Sequence, residues 1–410
     1  MSRPDDDNAP ILLTTRNING YYTFHLFNNM AFWLPIYALF FLARKLDFSI
    51  ILYLYAIDTV FQTLLEVPSG VIADRIGRRP VLMLGALAQA AGYLMIAFGG
   101  GIPLYVVGMA LHGIAMAFVS GADSAFIYDT LAAAGRENEF TQIEGRAYMY
   151  NLFAWGAAGL LGGFVAAQSL TAPFVLSAVT SLLAFFVMGT CIEPPRRMIR
   201  SSTRQLAAEA IGVVRRNPRV RAIIIFSSIL FGLLLVGHKF SQPYLQMTGI
   251  DLKLFGVIYF VWLMFAAVSS NYSDRIEKRL GRMVYFLMLP LLAGLPFLYW
   301  GWRQSLFGVV VALTHQFVWG SLRPQMAGLI NAEVAASVRA TALSMAGLGS
   351  SLVYVLAALL LGGVADHQGL PAAMSYLGGA LIAAGLTAVI PLIRRGHIAA
   401  AEKTRLNLPL

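Results

Sequence analysis

Gly70-Val-Ile-Ala-Asp74-Arg75-Ile-Gly77-Arg78-Arg79 separates two long apolar runs, 50–73 and 80–99. Neither run would stay in water as a small helix. The segment between them packs three arginines, an aspartate and two glycines into ten residues. Charge that dense between two greasy helices reads as a tight basic turn at a membrane surface.

The rest of the chain bears on that reading. Of its 410 residues, 58% are hydrophobic and only 12% charged, with a mean hydropathy of +0.69. A soluble domain carries about twice that charged fraction. A helix needs about 20 mainly apolar residues to cross a bilayer. Twelve such runs are present, at 18–43, 50–73, 80–99, 103–130, 146–168, 172–192, 221–246, 252–274, 282–300, 305–332, 338–364 and 371–393. The expected fold is therefore an all-α membrane protein of 12 transmembrane helices. The loops are short and leave no room for a sizeable soluble domain. The first run holds Tyr21, Tyr22, His25, Asn28 and Asn29 with no small-residue cleavage site after it, so it reads as a retained span rather than a signal. The leader Met1–Arg16, with Asp5, Asp6 and Asp7, reads as disordered.

A net charge of +10 invites a nucleic-acid reading, but the placement of the charge argues for topology. Four basic residues (Arg44, Lys45, Lys253, Arg303) fall on one side and two (Lys239, Arg323) within spans. The other 24 of 30 fall on the side of the termini. Positive loops face the cytoplasm, so both termini are expected inside a plasma membrane of prokaryotic inner-membrane type, with the basic surface against anionic headgroups and no nucleic acid. A single cysteine, Cys191, excludes an intrachain disulfide and a cysteine metal cage.

Glu193–Arg219 is the one long polar interruption. It carries Pro194-Pro195 and seven arginines, and 202–214 has the pattern of an amphipathic helix on the inner leaflet. It divides the chain into a tail (1–17), a six-helix bundle (18–192), a linker (193–220), a second bundle (221–393) and a tail (394–410). The halves look like repeats. Asp74-Arg75-Ile76 recurs as Asp274-Arg275-Ile276, with Ser270 replacing Gly70 and Glu277 replacing Gly77, so the second copy reads as degraded. Arg146-Ala147 and Arg339-Ala340 open the fifth span of each half, and Gly162-Gly163 and Gly362-Gly363 lie further along. Six spans plus six around a linker fit two pseudo-symmetric bundles with a site between them.

Ionisable groups inside a bilayer are expensive and mark function or a partner. Spans 3, 6, 9 and 12 have none in their interiors and read as lipid-facing supports. Spans 1, 4, 7 and 10 each carry one histidine: His25, His112, His238 and His315. Asp123, Lys239 and Arg323 add charge on spans 4, 7 and 10. Helical spacing gives polar stripes of Asp58, Gln62 and Glu66, of His25, Asn29 and Trp33, and of His315, Trp319 and Arg323. His112 and Asp123, eleven residues apart, share a face. The expected substrate and proton cavity thus comprises His25, Asn29, Asp58, His112, Asp123, Asn151, His238, Lys239, His315 and Arg323; Glu66, beside Pro68, reads as structural. The four histidines fall at different depths, without paired spacing, so no metal is expected. Small-residue stripes (Gly156, Gly159, Gly163; Ala342, Ala346, Ser350) promise close helix packing.

The opening turn fills every fixed position of the signature of the major facilitator superfamily, and with the six-plus-six layout it makes the chain resemble that superfamily over nearly its whole length. The resemblance implies the major facilitator fold, with spans 1, 4, 7 and 10 lining the central cavity. It also implies an inner latch of Gly70, Asp74, Arg75, Gly77, Arg78, Asp129 and Arg339. In that latch Gly70 allows close backbone approach, Asp74 caps the eleventh span near Arg339, and Arg78 pairs with Asp129. Drug/proton antiporters of the superfamily often carry Gly-Pro-x-x-Gly-Gly in span 5. Here it reads Ala158-Gly159-Leu-Leu-Gly162-Gly163, without the proline, and Met109 stands where those antiporters have an arginine. The function expected is secondary active transport of a small organic molecule by alternating access, coupled to protons and directed outward, by a monomer without a cofactor. Uptake of an anionic or zwitterionic metabolite and lysolipid flipping are the alternatives. No catalytic triad, zinc motif or phosphate loop supports an enzyme or an ATP-driven pump.

Overall fold

The computed structural model describes residues 9–195, 212, 214–335 and 338–405. Those residues form thirteen α-helices: α1 (Ala9–Asn28), α2 (Tyr37–Leu42), α3 (Phe48–Ile76), α4 (Arg78–Phe98), α5 (Ile102–Ala133), α6 (Phe140–Ala166), α7 (Ala172–Thr190), α8 (Pro218–Met247), α9 (Leu252–Leu280), α10 (Arg282–Trp302), α11 (Phe307–Glu333), α12 (Arg339–Gln368) and α13 (Leu370–Arg405). Ten helical stretches are apolar enough over sufficient length to cross a membrane. The helices left out, α1 and α11 besides the short α2, include two that carry many of the polar groups read above: Asn17, His25 and Asn28 on α1, and His315, Gln316 and Arg323 on α11.

Three expectations need correction. The first span is not one helix. It breaks after Asn28, runs through turns to Ile36 and resumes as α2. The Asn29 side chain donates to the His25 carbonyl at 2.9 Å and closes the end of α1, while Pro35 offers no N–H to continue a helix. The freed Phe32 N–H donates instead to Ser177 Oγ on α7 at 3.1 Å, as backbone exposed at membrane depth must. His25, Asn29 and Trp33 are therefore not a helical stripe. The leader is helical from Ala9, and the buried Asn17 ties it down through Thr130 Oγ1 (3.1 Å) and the Ile192 carbonyl (2.9 Å). The amphipathic stretch 202–214 lies largely outside the described residues.

The chain forms two compact units. In the first, α4 packs on α5 and α7, and α1 packs on α7 and α6. In the second, α10 packs on α11 and α13, and α8 packs on α13 and α12. The same pairing pattern repeats, as the internal repeat requires. The units do not divide at the linker. The first includes Asp251–Phe260, the opening turns of α9, and the second includes Lys45–Tyr53, which contains the opening turns of α3. In the first unit the glycine stripe of α6 receives α9: a Cβ on Gly163 would stand 2.8 Å from Gly256 N, and one on Gly256 2.5 Å from Gly159 O. In the second, a Cβ on Gly362 would stand 2.7 Å from Ser49 Cα, and Asp366 Oδ1 accepts the Phe48 N–H at 2.9 Å. The Ala346–Ser350 stripe faces α8, where Ser228 Oγ donates to the Ala346 carbonyl at 3.2 Å.

Helices α4 and α5 touch backbone to backbone, since a Cβ on Gly92 would lie 2.7 Å from Gly108 O. Gly92→Val is expected to lower the thermal unfolding midpoint in detergent, with an overpacking penalty of about 1–3 kcal/mol. Gly159→Ala, whose added Cβ meets nothing within 4 Å, should leave the midpoint unchanged or raise it.

Candidate functional site

The signature turn is held by two devices. Gly77 joins α3 to α4 with φ at 114°, a conformation other residues rarely adopt. The next helix then starts with unsatisfied N–H groups, and the Glu193 carboxylate takes two of them, from Arg78 and Arg79, each at 2.8 Å. Glu193 begins the linker, 115 residues away, and nothing local in the sequence marked it as this cap. Arg78 donates to Asp74 at 2.7 Å and lies 3.7 Å from Asp129, as the resemblance implied. Arg75 is exposed. Asp74 engages Arg78, and Val338 stands at the N-cap position of α12. Gly70 is not a point of close approach, because a Cβ there would meet nothing within 4 Å. The tight position is Gly121 on α5, whose Cβ would stand 2.7 Å from Ser69 Oγ.

The second copy of the turn is shifted rather than degraded. Gly281 joins α9 to α10 with φ at 80° and is followed by Arg282, as Gly77 is followed by Arg78. Asp274 lies one helical turn further from the glycine than Asp74 does. Arg282 pairs with Glu277 at 2.9 Å, and Lys278 with Asp274 at 2.6 Å.

Two of the four histidines meet carboxylates, both in the first unit. His112 Nδ1 lies 2.7 Å from Asp58 Oδ1, with the Trp33 and Tyr93 rings packed against the imidazole. Asp58 is buried, whereas Gln62 is half-buried and Glu66 exposed, so the expected stripe on α3 contributes one enclosed group. His25 is 4% exposed and lies 4.0 Å from Asp123 through Nε2. Its hydrogen bonds assign its tautomer. Asn29 Nδ2 donates to a backbone carbonyl, which identifies that atom as the amide nitrogen; the same nitrogen donates to Asn151 Oδ1 at 2.8 Å. Asn151 Oδ1 is thus an acceptor, and His25 Nδ1, 3.1 Å from it, is the donor. Nε2 then faces the Asp123 carboxylate without a hydrogen bond. A lone pair opposite a carboxylate repels it, and a proton held by either group turns the contact attractive.

A further acid stands nearby. Tyr21 OH donates to Glu144 Oε2 at 3.0 Å, the Tyr21 ring lies edge-on to His25 at 4.3 Å, and Glu144 Oε1 is buried without a partner. The apolar run placed the start of span 5 at residue 146; α6 in fact starts at Phe140, which carries Glu144 into the helix. Among the described residues no lysine or arginine lies within ion-pair distance of Asp58, Asp123 or Glu144.

In the second unit two histidines meet an aromatic ring. His238 stacks on Trp319 (5.3 Å, 19°), as do His315 (6.3 Å, 23°) and Phe231 (5.1 Å, 24°). The exposed Arg323 lies over the Phe231 ring at 4.7 Å. Lys239 is half-buried beside His238. The histidines here build an aromatic slab capped by a cation. Among the described residues no three metal-ligating side chains gather.

A profile described as Major Facilitator Superfamily matches residues 22–358. The chain is 26% identical over 249 residues to the tetracycline resistance protein, class B, of Escherichia coli, across 57% of this chain and 60% of that protein, less than two thirds of its length. It is 22% identical to the uncharacterized MFS-type transporter YxaM of Bacillus subtilis, across 66% of this chain and 69% of that one. The fold matches a crystal structure of the nucleoside transporter NupG with a TM-score of 0.78 at 15% identity, over 92% of this chain and 99% of that one.

Glu193→Ala removes two charge-assisted bonds from the start of α4. Loss of such a cap costs about 0.5–2 kcal/mol, so the thermal unfolding midpoint of the purified protein should fall. Glu193→Gln should fall less, because the amide oxygen still accepts one N–H.

Proposed function

The chain belongs to the major facilitator superfamily of secondary transporters, and from that premise we propose that it exports a small organic molecule in exchange for protons by alternating access. The observation that carries the proton part is the locked tautomer of His25, whose Nε2 faces Asp123, an acid with no ion pair to a lysine or arginine among the described residues. Charge inside a bilayer costs a few kcal/mol even on lenient scales, and a proton is the smallest neutraliser that can be taken up and released each cycle. Asp58 with His112 is a second proton-sharing pair. Asn29 and Asn151 position His25, and His238, Lys239, His315 and Arg323 supply aromatic and cationic contacts to the substrate. The resistance named in the E. coli relative supports the outward direction, because a membrane carrier protects a cell by removing a drug. The basic loops support an inner membrane with both termini in the cytoplasm. Asp74, Arg78 and Asp129 act as the inner latch, with Asp74 capping the start of α12.

The experiment is a thermal-shift screen of the purified protein against drugs and metabolites, followed by reconstitution of the hits in vesicles carrying a pH-sensitive dye. Ligand that binds the folded form raises the melting temperature by mass action. Hits are expected to drive proton flux when added to one side. Asp123→Asn should bind the same hits while proton flux falls to the leak of empty vesicles. Asn151→Leu, which frees the His25 tautomer, should slow flux and shift its pH dependence with binding retained. Solute movement without proton movement would falsify the coupling, and no movement under any gradient rules out the carrier.

A further inference from the structure

At the inner end of the second unit an apolar cleft of about 240 Å³ opens among three helices. Ile276 and Leu280 of α9, Tyr285, Met288 and Leu292 of α10 and Phe317 of α11 line it. No polar surface lines it, and an apolar cavity of this size stays dry and takes hydrocarbon rather than water. Leu280 is 43% exposed, so the cleft reaches the surface. Its lining on α10 runs from Tyr285 to Leu292, seven residues or about 10 Å of helix rise.

The rim carries the charge that a lipid headgroup would meet. Arg275, Lys278, Arg279 and Arg282 crowd the last turns of α9 and the first of α10. Asp274 holds Lys278, Glu277 holds Arg282, and Arg275 lies over the Tyr272 ring at 5.3 Å. Arg279 is exposed and makes no ion pair among the described residues. It follows Ile276 at i+3 and precedes Leu280 in the chain, at the polar end of α9 where the cleft reaches the surface. A cation at the mouth of an apolar slot matches a phosphate joined to an acyl chain. We propose that this cleft seats one acyl chain of an anionic phospholipid of the inner leaflet, with the headgroup phosphate on Arg279. The site lies wholly in the second unit, uses none of the histidine–carboxylate pairs, and stands whether or not transport is coupled to protons. Ile276 ends the Asp274-Arg275-Ile276 repeat, so a lipid here would sit directly beneath the second signature turn.

The test is native mass spectrometry of the full-length protein, delipidated and titrated with phosphatidylglycerol or with phosphatidylcholine of the same acyl length. The native protein is expected to retain phosphatidylglycerol about fivefold better, the scale of one basic residue at an anionic surface. Arg279→Gln should remove that preference. Leu292→Trp, which fills the slot, should abolish retention of the tightly held lipid; Met288→Phe is the smaller plug if the tryptophan variant does not fold. Equal retention of the two lipids by the native protein, a preference that survives Arg279→Gln, or lipid retention untouched by the plugs each overturns the site. So does a dimer signal lost on plugging, which would make the occupant a second copy of the chain.

Discussion

A carboxylate inside a bilayer has to be neutralised by something, and this constraint organises the first unit. Asp58, Asp123 and Glu144 lie on α3, α5 and α6 with no ion pair to a lysine or arginine among the described residues, and the polar groups around them compensate only in part. His112 contacts Asp58 directly at 2.7 Å. Tyr21 satisfies one oxygen of Glu144. Asp123 is left with its neighbour's backbone N–H and a histidine 4.0 Å away. A site built to be rigid would close that gap with an arginine. Leaving it open to a proton makes the local charge switchable, and a switchable charge is what a carrier needs to link an ion to a change of state.

The break in the first span serves the same cluster. A straight helix through Asn29 would point its side chain along the helix surface and give its backbone N–H to the preceding turn. Ending α1 at Asn28 lets the Asn29 amide reach back to the His25 carbonyl and across to Asn151 at once. The unwound backbone is tolerated because Ser177 on α7 takes the orphaned Phe32 N–H. Local irregularity, hydrogen-bond satisfaction and control of the His25 tautomer are thus one arrangement. The second unit reaches its polar interior differently. His238 and His315 stack on Trp319, and Arg323 lies over the Phe231 ring.

Each unit also uses the same mechanical parts. A glycine with positive φ turns the second helix of each half into the third, and an arginine follows it in both. In the fifth helix of each half one glycine of a Gly-Gly pair, Gly163 or Gly362, lies against the opening turns of α9 or α3, where bare backbone allows contact that a side chain would prevent. These contacts place Asp251–Phe260 with the first unit and Lys45–Tyr53 with the second.

Apolar runs of bilayer length, the sided arginines and the Gly77 turn determined the class of protein, an all-helical membrane fold, because this depends on solvation energy and chain sense alone. The polar character of α1, α5, α8 and α11 was legible for the same reason, whereas the pairing of Arg78 with Asp129 was implied by the resemblance to the superfamily. Partners remote in the chain were not legible. Glu193 as the cap of α4, Asp58 as the partner of His112, Glu144 beneath Tyr21, and the one-turn shift that makes Gly281 rather than Glu277 the counterpart of Gly77 follow from how helices rotate and slide against one another. Helical spacing says which residues share a face, but only the tertiary packing decides which face meets which. That is why Asn29 and Trp33, read as a stripe, proved to lie beyond the end of the helix.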